Sequence, residues 1–354
     1  MRIFTIVGTL VAEVSALPTA PLPGGFVWVS CARSEFEAHQ AQLQAALQQL
    51  GGHPLVDLHV SDLLNPQLPS HYDYTSQYDM LVFRRLSTGH TETTPSPTAK
   101  RSGPPILRRI NTDPVGFAVF DAVLLTVHPG DCAVRDSYAE RLQASGARVP
   151  TSPADLMLRI VNQMVDGYLD LRRELTRQLD HWQTELLKPA TRFTNWSALL
   201  DARLTLHQLD DVCEEQRAAI QDWIEAVKTW PEATSPLAAR ERELLQVRSR
   251  DVLEHIERVV HHVQRLEHSV ETAVQMHFSV QSNRTNDIMR TLTVLTAIFL
   301  PLNLIAGIFG MNFDFIPLLH QQSGIWWALG AMGLIATAMG LVFWRKQYLK
   351  RTGS

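Results

Sequence analysis

The most informative polar side chains in this sequence stand where polar groups are least expected. Thr291 to Phe309 reads TLTVLTAIFLPLNLIAGIF, a run without a single charge that nevertheless holds Thr296 and Asn303 well inside it. Wound as a helix, it places Leu292, Thr296, Leu300, Asn303 and Gly307 at steps of four, four, three and four, which makes one continuous face. Asn286 and Met289 prolong that face backward along the chain. In hydrocarbon, a hydroxyl and a carboxamide on a helix face are unfavourable unless they meet protein or water. The chemistry open to such a face is hydrogen bonding along a lining. Catalysis is not indicated elsewhere either: the sequence shows no nucleophile–base set, no phosphate-binding loop and no paired carboxylates that define a pocket, so the reading is not an enzyme.

Several elements must position this face. At about 1.5 Å per residue the run nearly crosses a hydrocarbon core of about 30 Å. A second apolar run, Ile325 to Trp344, follows after a short connection and is closed by Arg345, Lys346, Lys350 and Arg351. Its only polar side chain is Thr337, which suits a helix facing lipid. The chain therefore ends in a hairpin of two membrane spans. Before it, neither Pro nor Gly interrupts the stretch between Pro236 and Pro301, so a helix of roughly 60 residues, about 90 Å long, is expected to run unbroken into the first span. Within that stalk Val252, Ile256, Val259, Val263, Leu266 and Val270 follow the 4-3-4-3-4 spacing of a coiled-coil-like seam. Ala154–Lys188 and Asn195–Trp230 read as two further long helices, broken at Pro189 and Pro231.

The N-terminal part has a different texture. Gly25–Cys31, Met80–Leu86 and Phe117–Val127 have strand character. Ser34-Glu35-Phe36-Glu37 resembles a capping box that opens a helix through Leu50, with a stop at Gly51-Gly52. Residues 1–20 have an apolar run, but Glu13 interrupts it and Arg2 alone supplies positive charge, so a strand with a Pro-rich turn is preferred to a signal peptide. The Ser/Thr/Pro-rich stretch Ser87–Pro105 reads as a surface insertion. Of 354 residues, about 285 precede the spans, enough for a substantial soluble part. A net charge of −4 with no basic tract gives no indication of a nucleic-acid partner. Cys31, Cys132 and Cys213 are scattered and odd in number, which points to neither a disulfide framework nor a zinc knuckle.

Other candidate groups have plainer readings. His255, His261, His262, His268 and His277 on the stalk lack a Cys or a tight carboxylate set on one helix face and read as solvated. Asp251, at Arg250-Asp251-Val252 in an Arg-rich stretch, reads by itself as a paired surface carboxylate. Asp287 beside Arg290 reads as a local ion pair at the membrane boundary.

TNDIMRTLTVLTAIFLPLNLIAGIFGMNFDF, with Gly310-Met311-Asn312 at the exit of a Pro-containing span, a second span behind it and a basic end, resembles the signature of the CorA family of divalent-cation channels. The resemblance is close over about residues 250–350 and diffuse before that. It implies a homopentamer in which the first spans line the pore, the second spans form the outer ring, and a large cytoplasmic funnel precedes them. Mg²⁺ gives up its waters reluctantly, so a ring of Asn312 carboxamides, one per subunit, can accept hydrogen bonds from the ion's waters without a fixed charge that would trap it. Gly310 then permits a tight turn and Met311 packs it. Along the pore Thr296 and Asn303 become polar rungs, Leu300, Leu292 and Met289 become constrictions able to gate by dewetting, and Asn286 forms a polar ring at the cytoplasmic mouth. The resemblance also implies a regulatory cation site between neighbouring subunits, which falls here on Asp251 of the stalk and Asp62 of the globular part, in Ser61-Asp62-Leu63-Leu64-Asn65.

Two departures leave the branch of the family open. Asn303 stands where the family usually has Thr, and Leu318 replaces the second of two acidic residues in the outer loop, of which Asp314 keeps the first. A less acidic mouth attracts cations less strongly, and His320 favours a softer ion. The expectation is an α+β chain. It has a cytoplasmic α/β domain (1–150), a long helical hairpin (151–236), a stalk (237–290) and a pore helix (291–309). An external loop with the filter (310–324), an outer span (325–344) and a basic cytoplasmic tail (345–354) complete it. It is a multi-pass inner-membrane protein with both termini cytoplasmic, since Arg284, Arg290 and the basic end flank a loop without Lys or Arg. Its partners are its own copies, the bilayer and divalent cations. It needs no cofactor, and Mg²⁺ or a related ion (Co²⁺, Ni²⁺) is both substrate and regulatory ligand. A zinc transporter of the same architecture and a non-conducting coiled-coil scaffold are the alternatives.

Overall fold

A computed structural model describes residues 1–87, 110–130, 133–144, 148–187, 196–231, 235–311 and 324–346. The chain divides into two compact units, Met1–Glu271 and Thr272–Ser354.

The first unit is built on a seven-stranded sheet. Its strands are β1 (Arg2–Val7), β2 (Leu10–Val14), β3 (Gly25–Ala32), β4 (His71–Tyr74), β5 (Asp79–Leu86), β6 (Thr112–Val119) and β7 (Val123–His128), in the order β2-β1-β3-β7-β6-β5-β4. The β3–β7 pair is parallel and every other pair antiparallel. The helices α1 (Arg33–Ala38), α2 (Gln40–Gly51) and α3 (Asp57–Leu64) supply Phe36, Leu43, Leu47, Leu50, Val60 and Leu63 to a core shared with alternate residues of the sheet such as Val27, Val29, Val82 and Leu125. Gly116 of β6 lets α3 lie close, because a Cβ there would fall 2.1 Å from Leu63 Cδ2. The short α4 (Ala133–Gln143) and the long α5 (Pro153–Leu187) and α6 (Trp196–Thr229) also pack on the strands, α5 against β5, β6 and β7 and α6 against β4 and β5. Tyr168 Oη and Gln216 Nε2 both donate to the Arg84 carbonyl, at 2.9 and 2.8 Å, which ties α5 and α6 to β5.

Burial on both faces explains one difference from the sequence reading. The run Phe117–Val127, expected as one strand, is two. The chain reverses at Asp121-Ala122, with Phe120 N–H donating to the Val123 carbonyl at 2.9 Å. All six residues of β7 are buried, so no alternation of polar and apolar side chains marks the turn. The N-terminal strand is likewise a hairpin, reversed at Gly8 with φ +58°. The helix expected from Ser34 to Leu50 is two helices broken at His39; Glu35 accepts the Ala32 N–H at 2.9 Å, so the cap sits at Ala32 and Ser34 is already inside the helix. The stop at Gly51-Gly52 is as expected, with Gly52 left-handed at φ 83°. The insertion after Ser87 and Cys132 lie outside the described residues, whereas Cys31 and Cys213 are buried thiols.

The two long helices α5 and α6 match expectation, and α7 (Pro236–Phe309) is one helix of 74 residues that carries Pro301 within it. Its portion up to Glu271 belongs to the first unit. There the whole predicted seam, Val252 to Val270, is buried. Trp223 of α6 donates to Ser249 Oγ at 3.0 Å, and His262 is 2.8 Å from Thr176 Oγ1 of α5, so two of the stalk's anchoring contacts are polar. The second unit contains the remainder of α7 and α8 (Gly324–Arg345).

One buried group in the sheet makes stability depend on pH. His128 is 1 % exposed; its Nδ1 lies 2.7 Å from the Pro129 carbonyl and its Nε2 3.0 Å from Ser30 Oγ. Burial, with smaller contributions from Arg135 and Arg85, pushes it down to about 4. The folded state thus favours neutral imidazole, and stability present above the unfolded value near 6.5 is lost as pH falls towards 4, by about 3 kcal/mol in full. The melting temperature of the wild type should fall across that window, and that of His128→Gln should fall less steeply. Parallel curves would remove His128 as the cause.

Candidate functional site

Among the described residues, two helices are long and apolar enough to cross a membrane, α7 in its C-terminal part and α8. Most of the first is exposed, and the covered residues fall on one side of its wheel. Val294 is 5 % exposed, and Ala297, Ile298, Pro301, Ile305 and Phe309 are partly covered. Leu292, Thr296, Leu300, Asn303 and Gly307 are all exposed, Leu300 at 69 %. At 3.6 residues per turn these five fall within an arc of about 80°, roughly opposite the covered stripe. Met289 lies in the same arc and Asn286 about 40° beyond it, both exposed. In a single chain this helix therefore leaves its polar face uncovered.

The hydrogen bonding on that face is uneven. Thr296 Oγ1 donates to the Leu292 carbonyl at 2.8 Å, which satisfies its proton within the helix and leaves oxygen lone pairs outward. The carboxamides of Asn286 and Asn303 have no hydrogen-bond partner among the described residues. On α8 the contrast is complete: Thr337, its one polar side chain between Ile325 and Trp344, donates to the Gly333 carbonyl at 2.7 Å and asks nothing of its surroundings.

At the span exit Gly310 N–H donates to the Ala306 carbonyl at 2.9 Å and Met311 N–H to that of Ile308 at 3.3 Å. Gly310 is absent from the glycines of positive φ, so its value there is closeness: a Cβ would lie 3.1 Å from the Ala306 oxygen. Asn312 and Asp314 lie outside the described residues, as does His320.

The carboxylates are more dispersed. Asp62 sits on α3, half-buried, and Asp251 on α7, with its side chain 56 % exposed. Asp251 lines a cavity of about 540 Å³ that Asp62 does not reach. Asp251, expected to be a paired surface carboxylate, has a histidine beside it. Its nearest basic partner is His255 Nε2 at 3.8 Å, because Arg248 turns instead to Asp155. The Asp287 carbonyl accepts from Thr291 Oγ1 at 2.9 Å. Sequence reasoning missed the other lining of that cavity, Arg141, Arg148, Arg159 and Arg248, which come from three helices and a loop. Only Arg248 lay in a stretch singled out beforehand.

An α/β unit, one long helix that runs into an uncharged span with an exposed polar face, and a second apolar helix are features expected of a membrane transporter. The chain belongs to the family described as CorA-like Mg²⁺ transporter protein, whose model matches residues 23–348. It is 26 % identical over 300 residues to the cobalt/magnesium transport protein CorA of Thermotoga maritima, covering 84 % of this chain and 77 % of that one. It is 28 % identical over 240 residues to the putative metal ion transporter YfjQ of Bacillus subtilis, covering 66 % and 70 % of the two chains. Its fold is similar to the complete structure of the CorA magnesium transporter from Methanocaldococcus jannaschii, with a TM-score of 0.72, 16 % identity and 98 % of each chain covered. The expected fold class, an N-terminal α/β domain followed by a long helix and a C-terminal apolar helix, is thus the observed one.

Proposed function

We propose that the chain is one subunit of a homopentameric channel that passes hydrated divalent cations, Mg²⁺ foremost, across an inner membrane with both termini in the cytoplasm. The observation that carries this reading is the uncovered polar face of α7. Five such faces around an axis would line water, where Thr296 and Asn303 are favourable, whereas facing lipid they are not. Asn312 is the outer-sphere filter at the exit, and Leu300, Leu292 and Met289 are the constrictions that close by dewetting. The orientation rests on Arg284, Arg290, Arg345 and Lys346 flanking a connection without Lys or Arg. A non-conducting scaffold gives no reason for Asn303, whose carboxamide has no hydrogen-bond partner among the described residues.

The test is flux into liposomes holding the purified full-length protein, with Mg²⁺, Co²⁺, Ni²⁺ and Zn²⁺ offered in turn, with and without a pH gradient. Uptake of Mg²⁺ without need of the gradient is expected. Uptake of Zn²⁺ alone would move the chain to the zinc-transporting alternative, and no uptake of any ion would sink the reading.

Control is assigned to Asp251 and Asp62 of neighbouring subunits. Like charges brought together disfavour ionisation unless a cation lies between them. A divalent ion bound only in the closed arrangement stabilises it by about 2.7 kcal/mol at a hundredfold excess over Kd, enough to govern states a few kcal/mol apart. Millimolar Mg²⁺ should therefore raise the melting temperature and slow proteolysis of the cytoplasmic part. Asp251→Ala should lose much of that protection and conduct more when internal Mg²⁺ is high. Unchanged protection and flux in the variant would place the control elsewhere.

A further inference from the structure

The cavity beside Asp251 has a composition that control by a bare cation does not explain. About 540 Å³ in volume, it is of the size that holds small-molecule ligands. Arg141 comes to it from α4, Arg148 from the segment after α4, Arg159 from α5 and Arg248 from α7. Against these four guanidiniums the lining holds only two carboxylates, Asp166 and Asp251.

The basic groups are organised. Asp155, with a side chain 6 % exposed, stands behind them and pairs with both Arg159, at 3.1 Å, and Arg248. It neutralises one charge and holds two guanidiniums in place. Arg159 Nη1 also donates to the Arg148 carbonyl at 2.6 Å, which fixes the backbone that carries the third arginine. Arg141 and Arg148 themselves have no ion-pair partner among the described residues. Their proximity shows in the neighbouring groups. Burial raises the Tyr138 phenol above its ordinary range while the charges of Arg159, Arg141 and Arg248 pull it back. Burial lowers Arg248, and the charge of Arg148 lowers it further. Guanidinium groups match phosphate oxygens in a planar fork, and several converging on one cavity repel one another until an anion enters.

We propose that this cavity binds a polyanion carrying two or more linked phosphates, of the size of pyrophosphate to a nucleoside triphosphate. Two linked phosphates offer more oxygens than one, so they can meet more of the four guanidiniums at once. Asp251 stands on the same lining, so an occupying anion offsets the positive charge that opposes a cation there, and the two ligands favour each other's binding. That coupling rests on the cation role proposed above for Asp251; the anion site itself does not.

The experiment is calorimetric titration of the full-length protein in detergent, metal-free with chelator, using pyrophosphate, ATP and orthophosphate in turn. Pyrophosphate or ATP should bind at least about tenfold more tightly than orthophosphate, since each further charge-assisted contact is worth roughly a factor of ten. Tighter ATP identifies a nucleotide and tighter pyrophosphate an inorganic polyphosphate, and either supports the site. Arg141→Ala with Arg148→Ala removes two arginines that make no ion pair in the fold, so its melting temperature should hold while affinity falls at least about tenfold. Absence of binding at millimolar probe, orthophosphate bound as tightly as pyrophosphate, or a double variant that binds like the wild type would each overturn the proposal. The titration contains no divalent ion and measures no flux, so it stands or falls separately from the transport reading.

Discussion

Asn312→Ala should abolish cation uptake while the oligomer still assembles. The expectation follows from what a hydrated Mg²⁺ ion needs at the mouth of a pore. Stripping its tightly held waters is slow, so selection must act on the water shell. In the proposed pentamer five carboxamide carbonyls can accept from those waters at about 1 kcal/mol net each, roughly 5 kcal/mol for the ring, which corresponds to nearly four orders of magnitude in rate of entry. Alanine removes every acceptor and leaves the backbone unchanged. The preceding turn, held by Gly310 N–H to Ala306 and Met311 N–H to Ile308, does not depend on the Asn312 side chain. Uptake would be measured in liposomes and assembly by native gel or mass photometry of the same preparation. Near-normal uptake in the variant would remove Asn312 from the filter, and a variant unable to assemble would show that its role is structural.

How much was legible in the sequence depended on whether one physical requirement acted alone. The stalk seam was legible because one stripe of α7 is buried and the rest solvated, which leaves a clean 4-3-4-3-4 spacing from Val252 to Val270. The spans were legible because they lack charge. The β6–β7 turn was not, since β7 is buried along its whole length and the hairpin needed no glycine at Asp121-Ala122. The helix α3 was missed for a similar reason: Val56 caps it without a side-chain hydrogen bond, and no capping residue announces it. For the site, periodicity could place Thr296 and Asn303 on one face, but it could not place Arg141 and Arg148 beside Asp251, a hundred residues further on. That juxtaposition is made by packing α4, α5 and α7 together, and no local spacing records it. The Arg248 pairing shows the same limit. Sequence neighbourhood favoured Asp251, yet the buried Asp155 of another helix takes the guanidinium.

Asn303→Leu should cut conduction by at least about tenfold and leave folding intact. Asn303 is exposed, between Leu300 one turn before it and Gly307 one turn beyond, and its carboxamide has no hydrogen-bond partner among the described residues. If the face lines water, that carboxamide is the polar rung that keeps the middle of the pore wet; leucine would join Leu300 in one continuous dry stretch. Losing even one water-mediated contact worth about 1.4 kcal/mol at the barrier lowers the rate tenfold. If instead the face met lipid, the substitution would remove an unfavourable polar group from hydrocarbon and stabilise the protein without touching flux. The two cases thus differ in sign as well as in size. Thr337→Leu is the control, because Thr337 is satisfied by the Gly333 carbonyl within α8 and should be silent in both assays. A cysteine placed at 303 gives an independent readout: in a conducting channel a water-soluble thiol reagent should reach it and block. Unreactive cysteine together with normal flux in Asn303→Leu would mean that this face of α7 does not line the pathway, and the wheel drawn from Leu292 to Gly307 would have to be turned.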